Sequence, residues 1–152
     1  MNHQLGIGTH RVTLPIDGLS RSALVFVPSS GGNTHPPVML LHGAGGSAEW
    51  AVKETHFSVT AERENFCVIS PDGLAPNPDR AAKFLTNPQE WNDGSGRGRT
   101  DDVLFLEELL NQLRYEKVFL TGFSNGAGMA FRFAAERSER VSALAVVAGH
   151  CY

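Results

Sequence analysis

One short stretch restricts the folds open to this chain more than any other. Val118-Phe119-Leu120-Thr121 is an apolar run of strand character, Gly122-Phe123-Ser124-Asn125-Gly126 follows at once, and Ala127-Gly128-Met129-Ala130 opens a helix. A strand that reverses into a helix through a five-residue G-x-S-x-G turn is the nucleophile-elbow pattern. The turn holds its central residue in strained backbone geometry, so Gly122 and Gly126 are needed where a Cβ would collide with the neighbouring strand or helix. Ser124 is thereby lifted clear at a helix N-terminus. There, unpaired amides and the helix dipole favour negative charge developing on a tetrahedral intermediate. The simpler alternative is a Gly-rich turn with a capping serine. The apolar strand before it and the Met129-Ala130-Phe133-Ala134 packing face after it favour the nucleophile.

A second segment, Leu40-Leu41-His42-Gly43-Ala44-Gly45-Gly46-Ser47, repeats the order strand, Gly-rich loop, helix. Its glycines, beginning with Gly43, let the backbone approach a substrate. The amide of Ala44 can then pair with that of Asn125 to hold a carbonyl oxygen as it becomes anionic. The same residues carry a competing reading. Gly43-Ala44-Gly45-Gly46-Ser47-Ala48 satisfies G-x-G-x-x-A, the dinucleotide fingerprint, and Asp72 ends the next strand where a ribose-binding acid should sit. A nucleotide-binding α/β domain is thus the alternative, and the elbow around Ser124, which such a site neither needs nor predicts, weighs against it. His42 reads as a residue that orients the loop rather than as a general base.

Around these motifs, short β-rich runs alternate with helical stretches, the α/β pattern. Strands predicted over residues 11–16 and 23–28 flank Asp17-Gly18 as an antiparallel hairpin, and Ser29-Ser30-Gly31-Gly32-Asn33 forms a polar turn after it. Val38-Met39-Leu40-Leu41, Cys67-Val68-Ile69, Val118-Phe119-Leu120 and Ala143-Leu144-Ala145-Val146-Val147 are continuously apolar, as parallel strands covered on both faces would be. Helices are predicted over residues 48–65, 102–114 and 125–137. In the second of these, Val103, Leu106, Leu110 and Leu113 recur at helical spacing, with Thr100 or Asp101 as cap.

Residues 73–99 carry Pro76, Pro78, Pro88, Gly94, Gly96 and Gly98 with no sustained period, and a connection that long is usually functional or disordered. It leaves a strand on the side where such sheets bind ligands. Trp91 within it is a candidate to stack on an aromatic acyl group or a sugar ring, with packing on its own loop as the plainer role. Arg97 and Arg99 read as solvent-facing, and Asp101 and Asp102 as a helix cap with ion pairs to nearby arginines.

Charge and composition narrow the partners. Lys+Arg number 13 against Asp+Glu 16, a net charge of −3, with none of the basic excess that phosphate neutralisation requires, so a nucleic-acid partner is not expected. No window approaches the roughly 20 apolar residues that cross a bilayer, and no membrane association is expected. The start, Met1-Asn2-His3-Gln4-Leu5-Gly6, has neither a basic nor an apolar leader region, so no signal peptide is visible. Cys67 lies in an apolar run and reads as a buried thiol, and a bond to Cys151 is not expected. His3, His10, His35 and His56 are scattered without ligand spacing, so neither a metal site nor a cofactor is expected.

Taken in order, the loop at Gly43, Pro71-Asp72-Gly73 after a strand, Trp91-Asn92, Asp101-Asp102-Val103 opening a helix, and Thr121-Gly122-Phe123-Ser124-Asn125-Gly126 resemble one branch of the α/β-hydrolase esterases. That branch groups polyhydroxybutyrate depolymerases with feruloyl and acetylxylan esterases, and the resemblance covers essentially the whole chain. It implies a mostly parallel sheet with flanking helices, Ser124 as nucleophile, and Ala44 and Asn125 as oxyanion donors. It also implies carboxylic esters of short hydroxyacids or of aromatic acids on plant polysaccharide as substrates, and a serine-bound ester intermediate. Members of this group are often secreted.

The chain departs from the pattern after the nucleophile. In α/β hydrolases the triad runs Ser, then Asp or Glu, then His. From Asn125 onward the acids are Glu136 and Glu139, which read as a solvated face, and the histidine is His150, which reads as a terminal loop residue. The expectation is therefore that residues 1–152 form the N-terminal part of a single catalytic domain. On this reading the sheet runs through its sixth strand, and the last two strands, which carry the acid and the base, are absent. The chain alone would then be inactive or weakly active, since Ser124 without a partner base has little nucleophilic character. The strand Val141–Val147 would lie at an edge and invite self-association. A degenerate, non-catalytic fragment is the third reading.

Overall fold

A computed structural model describes residues 5–32 and 35–151. Residues 1–4, read above for a leader, and Asn33 of the polar turn lie outside the described residues. The elements run β1 (Gly8–Ile16), β2 (Leu19–Val27), β3 (Val38–Leu41), α1 (Ala48–Thr55), α2 (Phe57–Glu64), β4 (Val68–Pro71), α3 (Asp102–Leu113), β5 (Val118–Phe123), α4 (Asn125–Glu136) and β6 (Val141–Val147). The six strands form one sheet in the order β1-β2-β4-β3-β5-β6. β1 and β2 pair antiparallel through the tight turn Asp17-Gly18, whose φ angles of 49° and 78° match the right-handed twist of a hairpin. β2 joins β4 antiparallel, and β3, β4, β5 and β6 run parallel, as their apolar runs predict.

Alternation within the strands divides the core between two faces. Met39, Leu41, Ile69 and Leu120 point to one face, where Leu106 and Leu110 of α3 and Met129 and Phe133 of α4 cover them. Leu40 and Val68 point to the other, under Ala51 of α1 and Ala61 of α2. The single helix expected over residues 48–65 is two helices, which corrects that reading. His56 adopts left-handed backbone geometry (φ 53°), so α1 stops at Thr55 and α2 starts afresh at Phe57. The break turns Phe57 and Ala61 onto the sheet.

β6 differs from the other parallel strands. Leu144 and Val146 pack on the core, while Ala143, Ala145 and Val147 are exposed. Register places these last three beside Phe119, Thr121 and Phe123 of β5, so one face of the β5–β6 pair is largely uncovered. The expectation of burial on both faces fails here, and among the described residues β6 is the last strand of the sheet. Cys67 is buried, Cys151 is exposed, and both are free thiols.

Candidate active site

The parallel strands deliver two loops to one end of the sheet, where β5 enters α4 and β3 enters α1. At the first, Ser124 sits at φ 54°, ψ −120°, a conformation that costs a non-glycine residue of order 1–3 kcal/mol. The strain is held by contacts on both sides. A Cβ on residue 122 would lie 2.5 Å from the Gly126 carbonyl oxygen, and one on residue 126 would lie 2.3 Å from that of His42 and 2.4 Å from that of Leu41. The Ser124 amide donates to the Val147 carbonyl at 3.0 Å, and the Ser124 carbonyl accepts from Ala127 and Gly128. The Ser124 hydroxyl makes no capping bond to α4, whereas Ser47 caps α1 by accepting from the Trp50 amide at 3.2 Å. Asn125 occupies the first position of α4, where helix geometry supplies the amide with no intrahelical acceptor.

His42 fixes the second loop. The Gly43 carbonyl accepts from Nδ1 at 2.7 Å and Nε2 accepts from the Gly73 amide at 2.9 Å, which assigns the proton to Nδ1. Burial pushes this imidazole below its ordinary pKa and keeps it neutral, against the opposing bond to Gly43 and the charges of Asp72 and Asp102. Both nitrogens are engaged, as expected of a residue that orients the loop. Beyond it, Gly46 donates to the Gly43 carbonyl and Gly45 to the Gln89 carbonyl, which leaves Ala44 on the rim.

The ribose-acid role imagined for Asp72 finds no support in its surroundings. One carboxylate oxygen accepts from the Ala48 amide at 2.8 Å. The other accepts from the Ser22 hydroxyl at 2.8 Å and from Arg11 at 3.0 Å. A carboxylate already sits on the α1 N-terminus, the place where a pyrophosphate would bind.

For Trp91 the packing role holds and the stacking role is corrected. It is fully buried, its indole Nε1 donates to the His42 carbonyl at 2.8 Å, and its ring lies 5.1 Å from that of His42. No face of it is left to stack on a substrate. Its amide donates to Asn125 Oδ1 at 2.7 Å, and Asn125 Nδ2 donates to the Trp91 carbonyl at 3.1 Å and to Asp93 Oδ2 at 2.7 Å. This side-chain use of Asn125, and the part of Asp93, were missed. The signal was Asn and Asp beside a tryptophan, polar groups that must find partners wherever a tryptophan goes inside.

The other charged candidates fall near their expected places. Asp101 caps α3 by accepting from the Leu104 amide at 2.9 Å, so the cap is Asp101 rather than Thr100. Asp102 pairs with Arg21 at 2.7 Å, both buried, and not with the arginines near it in sequence. Arg97 lies 3.7 Å from Glu90 with most of its side chain in solvent, and Glu136 pairs with Arg132 across one helical turn. His150 is exposed.

A groove of about 680 Å³ opens beside the two loops, lined by Gly43, Ala44, Trp50, Lys83, Phe84 and Phe123 among others. Trp50, Phe84 and Phe123 are all exposed large apolar residues, Phe84 to 70%. Phe84 stands at the tip of residues 74–90, whose ends are joined by the Leu74–Glu90 bridge. Its ring lies 2.4 Å from where a Cβ on Gly45 would be, so it covers the glycine-rich loop after β3. The apolar pair Phe84-Leu85 inside a polar loop was the available signal.

Comparison with known proteins agrees with this geometry. Residues 36–151 match the family model described as the alpha/beta hydrolase fold. Feruloyl esterase D of Neurospora crassa is 29% identical over 147 residues, which cover 91% of this chain and 48% of that protein. A bifunctional acetylxylan esterase/xylanase of Neocallimastix patriciarum is 25% identical over 138 residues, 87% of this chain and 18% of that protein. The chain thus spans about half the length of the first and less of the second. An S-formylglutathione hydrolase structure from Agrobacterium tumefaciens superposes with a TM-score of 0.69 at 16% identity, over 95% of this chain and 60% of that one.

Proposed function

The chain belongs to the α/β-hydrolase fold family, and on that premise we propose that it carries the nucleophile and oxyanion donors of a serine carboxylic-ester hydrolase. The observation that carries the reading is the backbone of Ser124, φ 54° and ψ −120° between β5 and α4, kept by Gly122 and Gly126 in backbone contact with their neighbours. Strain of this kind persists only where the surroundings over-determine it, and it serves to present a side chain.

In this mechanism Ser124 Oγ attacks the ester carbonyl, and the amides of Ala44 and Asn125 receive the oxyanion of the tetrahedral intermediate. Collapse expels the alcohol and leaves the acyl group on Ser124, and water then attacks that ester and releases the acid. The Ser124 proton goes to a base other than His42, whose two nitrogens are already bonded. The acyl group enters the groove walled by Trp50, Phe84 and Phe123, which favours an aromatic or extended apolar acid over acetate. The relatives named as feruloyl and acetylxylan esterases support esters on polysaccharide as the substrate class.

The test is labelling of the native protein with a fluorophosphonate, peptide mapping of the adduct, and comparison of feruloyl, acetyl and 3-hydroxybutyryl esters. The adduct is expected on Ser124, with the feruloyl ester turned over fastest. An adduct elsewhere, or hydrolysis that survives Ser124→Ala, overturns the reading.

A further inference from the structure

Resting on the esterase reading above, we propose that Trp91 and Asp93 are positioning residues that lock the two oxyanion donors, Ala44 and Asn125, into one frame. The donors come from different loops, and nothing in either loop alone fixes their separation. Trp91 bonds to both sides. Its indole Nε1 holds the carbonyl of His42, two residues before Ala44, at 2.8 Å. Its backbone amide and carbonyl hold the Asn125 carboxamide at 2.7 and 3.1 Å, a two-point grip that fixes the plane of that side chain.

Asp93 completes the grip. Its Oδ2 accepts from Asn125 Nδ2 at 2.7 Å, while Oδ1 is held by the amide and hydroxyl of Ser95 at 3.0 and 2.6 Å. The intervening Asn92 is pinned as well: its amide donates to buried Asp102 at 2.7 Å, and its carbonyl accepts from Arg132 of α4 at 2.7 Å. Segment 91–93 therefore bridges α3, α4 and the His42 loop at once. An apolar side chain at position 125 could fill the same space without these three hydrogen bonds. What the carboxamide adds is direction at the first residue of α4, where the amide serving as donor is located. Oxyanion stabilisation depends on donors held within a few tenths of an ångström, and a displacement of about 1 Å costs about a hundredfold in rate.

The experiment measures kcat and KM for p-nitrophenyl acetate with the native protein, with Ser124→Ala, and with Trp91→Phe, Asp93→Asn and Asn125→Ala, alongside inhibition by a boronic acid that forms a tetrahedral serine adduct. Trp91→Phe keeps an aromatic ring in the core but removes the Nε1 donor together with the pyrrole part of the indole, so its urea midpoint is measured beside its kinetics. It and Asn125→Ala are expected to lower kcat about ten- to a hundredfold with KM within about twofold, and to weaken boronate inhibition in proportion. The double variant is expected to lose less than the product of the two, because both undo one frame. Asp93→Asn decides the matter if the tryptophan variant fails to fold. Hydrolysis that does not depend on Ser124 overturns the esterase reading and this proposal with it. Ser124-dependent hydrolysis with kcat and boronate inhibition unchanged in folded Trp91 and Asp93 variants overturns this proposal alone, as does an effect confined to KM.

Discussion

The His42 carbonyl oxygen lies 2.3 Å from where a Cβ on Gly126 would be, closer than any real contact, so α4 and the turn after β3 meet backbone to backbone. Gly126→Ala must push α4 off the sheet, since the Leu41 carbonyl belongs to β3 and the His42 carbonyl is held by Trp91 Nε1. Overpacking of this kind costs about 3 kcal/mol. A lowered urea midpoint is expected, together with loss of fluorophosphonate labelling at Ser124. A variant that keeps both would show that the elbow has slack.

Arg21 and Asp102 form a buried ion pair at 2.7 Å, and the Arg21 guanidinium also stacks 4.1 Å above the Phe105 ring. Removal of one partner leaves the other charge without compensation in the core. Asp102→Ala is expected to cost about 3–5 kcal/mol by urea unfolding. It also frees the Asn92 amide that Asp102 holds. The double variant Arg21→Met/Asp102→Leu should recover much of the loss. If the single and double variants are equally destabilised, the cost lies in packing and not in charge.

His42 sets a pH dependence whose sign follows from its surroundings. Burial lowers its pKa below 6.5 in the folded chain, so below about pH 6.5 the unfolded chain takes up a proton that the folded chain refuses. Stability therefore falls as pH drops through that value, by at most about 1.4 kcal/mol per unit from this group, until the folded imidazole also protonates. Above it the group contributes no slope. Urea midpoints between pH 8 and pH 5 should show this fall, and His42→Gln, though less stable at pH 8, should flatten it. An equal slope in the variant would assign the effect to the carboxylates.

Much of this architecture was legible because it is written in local chemistry. Asp17-Gly18 announces a tight hairpin, the apolar runs announce parallel strands, and Gly122 and Gly126 announce an elbow whose reasons are steric. What was not legible depends on distant partners. The break at His56 has no local breaker, since it is the fit of Phe57 and Ala61 to the sheet that makes left-handed geometry worthwhile there. Asp102 finds Arg21 across 81 positions of chain, and the Asn125 side chain finds Trp91 across 34. The G-x-S-x-G pattern speaks only of the backbone amide at 125. Nothing within it indicates that the carboxamide is occupied.

Phe84 tests the acyl side of the groove. At 70% exposure it contributes little to folding, and Phe84→Ala should leave the thermal midpoint within about 1 °C. An aromatic acyl group that stacks on it would lose about 1 kcal/mol of contact, a five- to tenfold fall in kcat/KM for a feruloyl ester. Acetyl ester turnover should hardly change. If both substrates suffer equally, Phe84 acts through the Gly43-Ala44-Gly45 loop under it and not through the acyl group.

The uncovered side of β5 and β6 makes the last prediction. Val147 is 60% exposed and Phe123 48%, with Ala143, Ala145 and Phe119 continuing the same face, and among the described residues β6 pairs only with β5. An apolar face that ends in an unpaired edge strand can be covered by a second copy, edge to edge or face to face. The described chain, expressed by itself, is expected to associate in a concentration-dependent way in sedimentation velocity. Val147→Lys places a charge on the face and the edge together, and Lys is a residue that natural edges use to repel pairing. It should shift the chain toward monomer without lowering its midpoint, because Val147 has little folded contact to lose. Association that persists in Val147→Lys would place the contact elsewhere, on the aromatic rim at Trp50 and Phe84, and Phe84→Ala would then be the variant that disperses it.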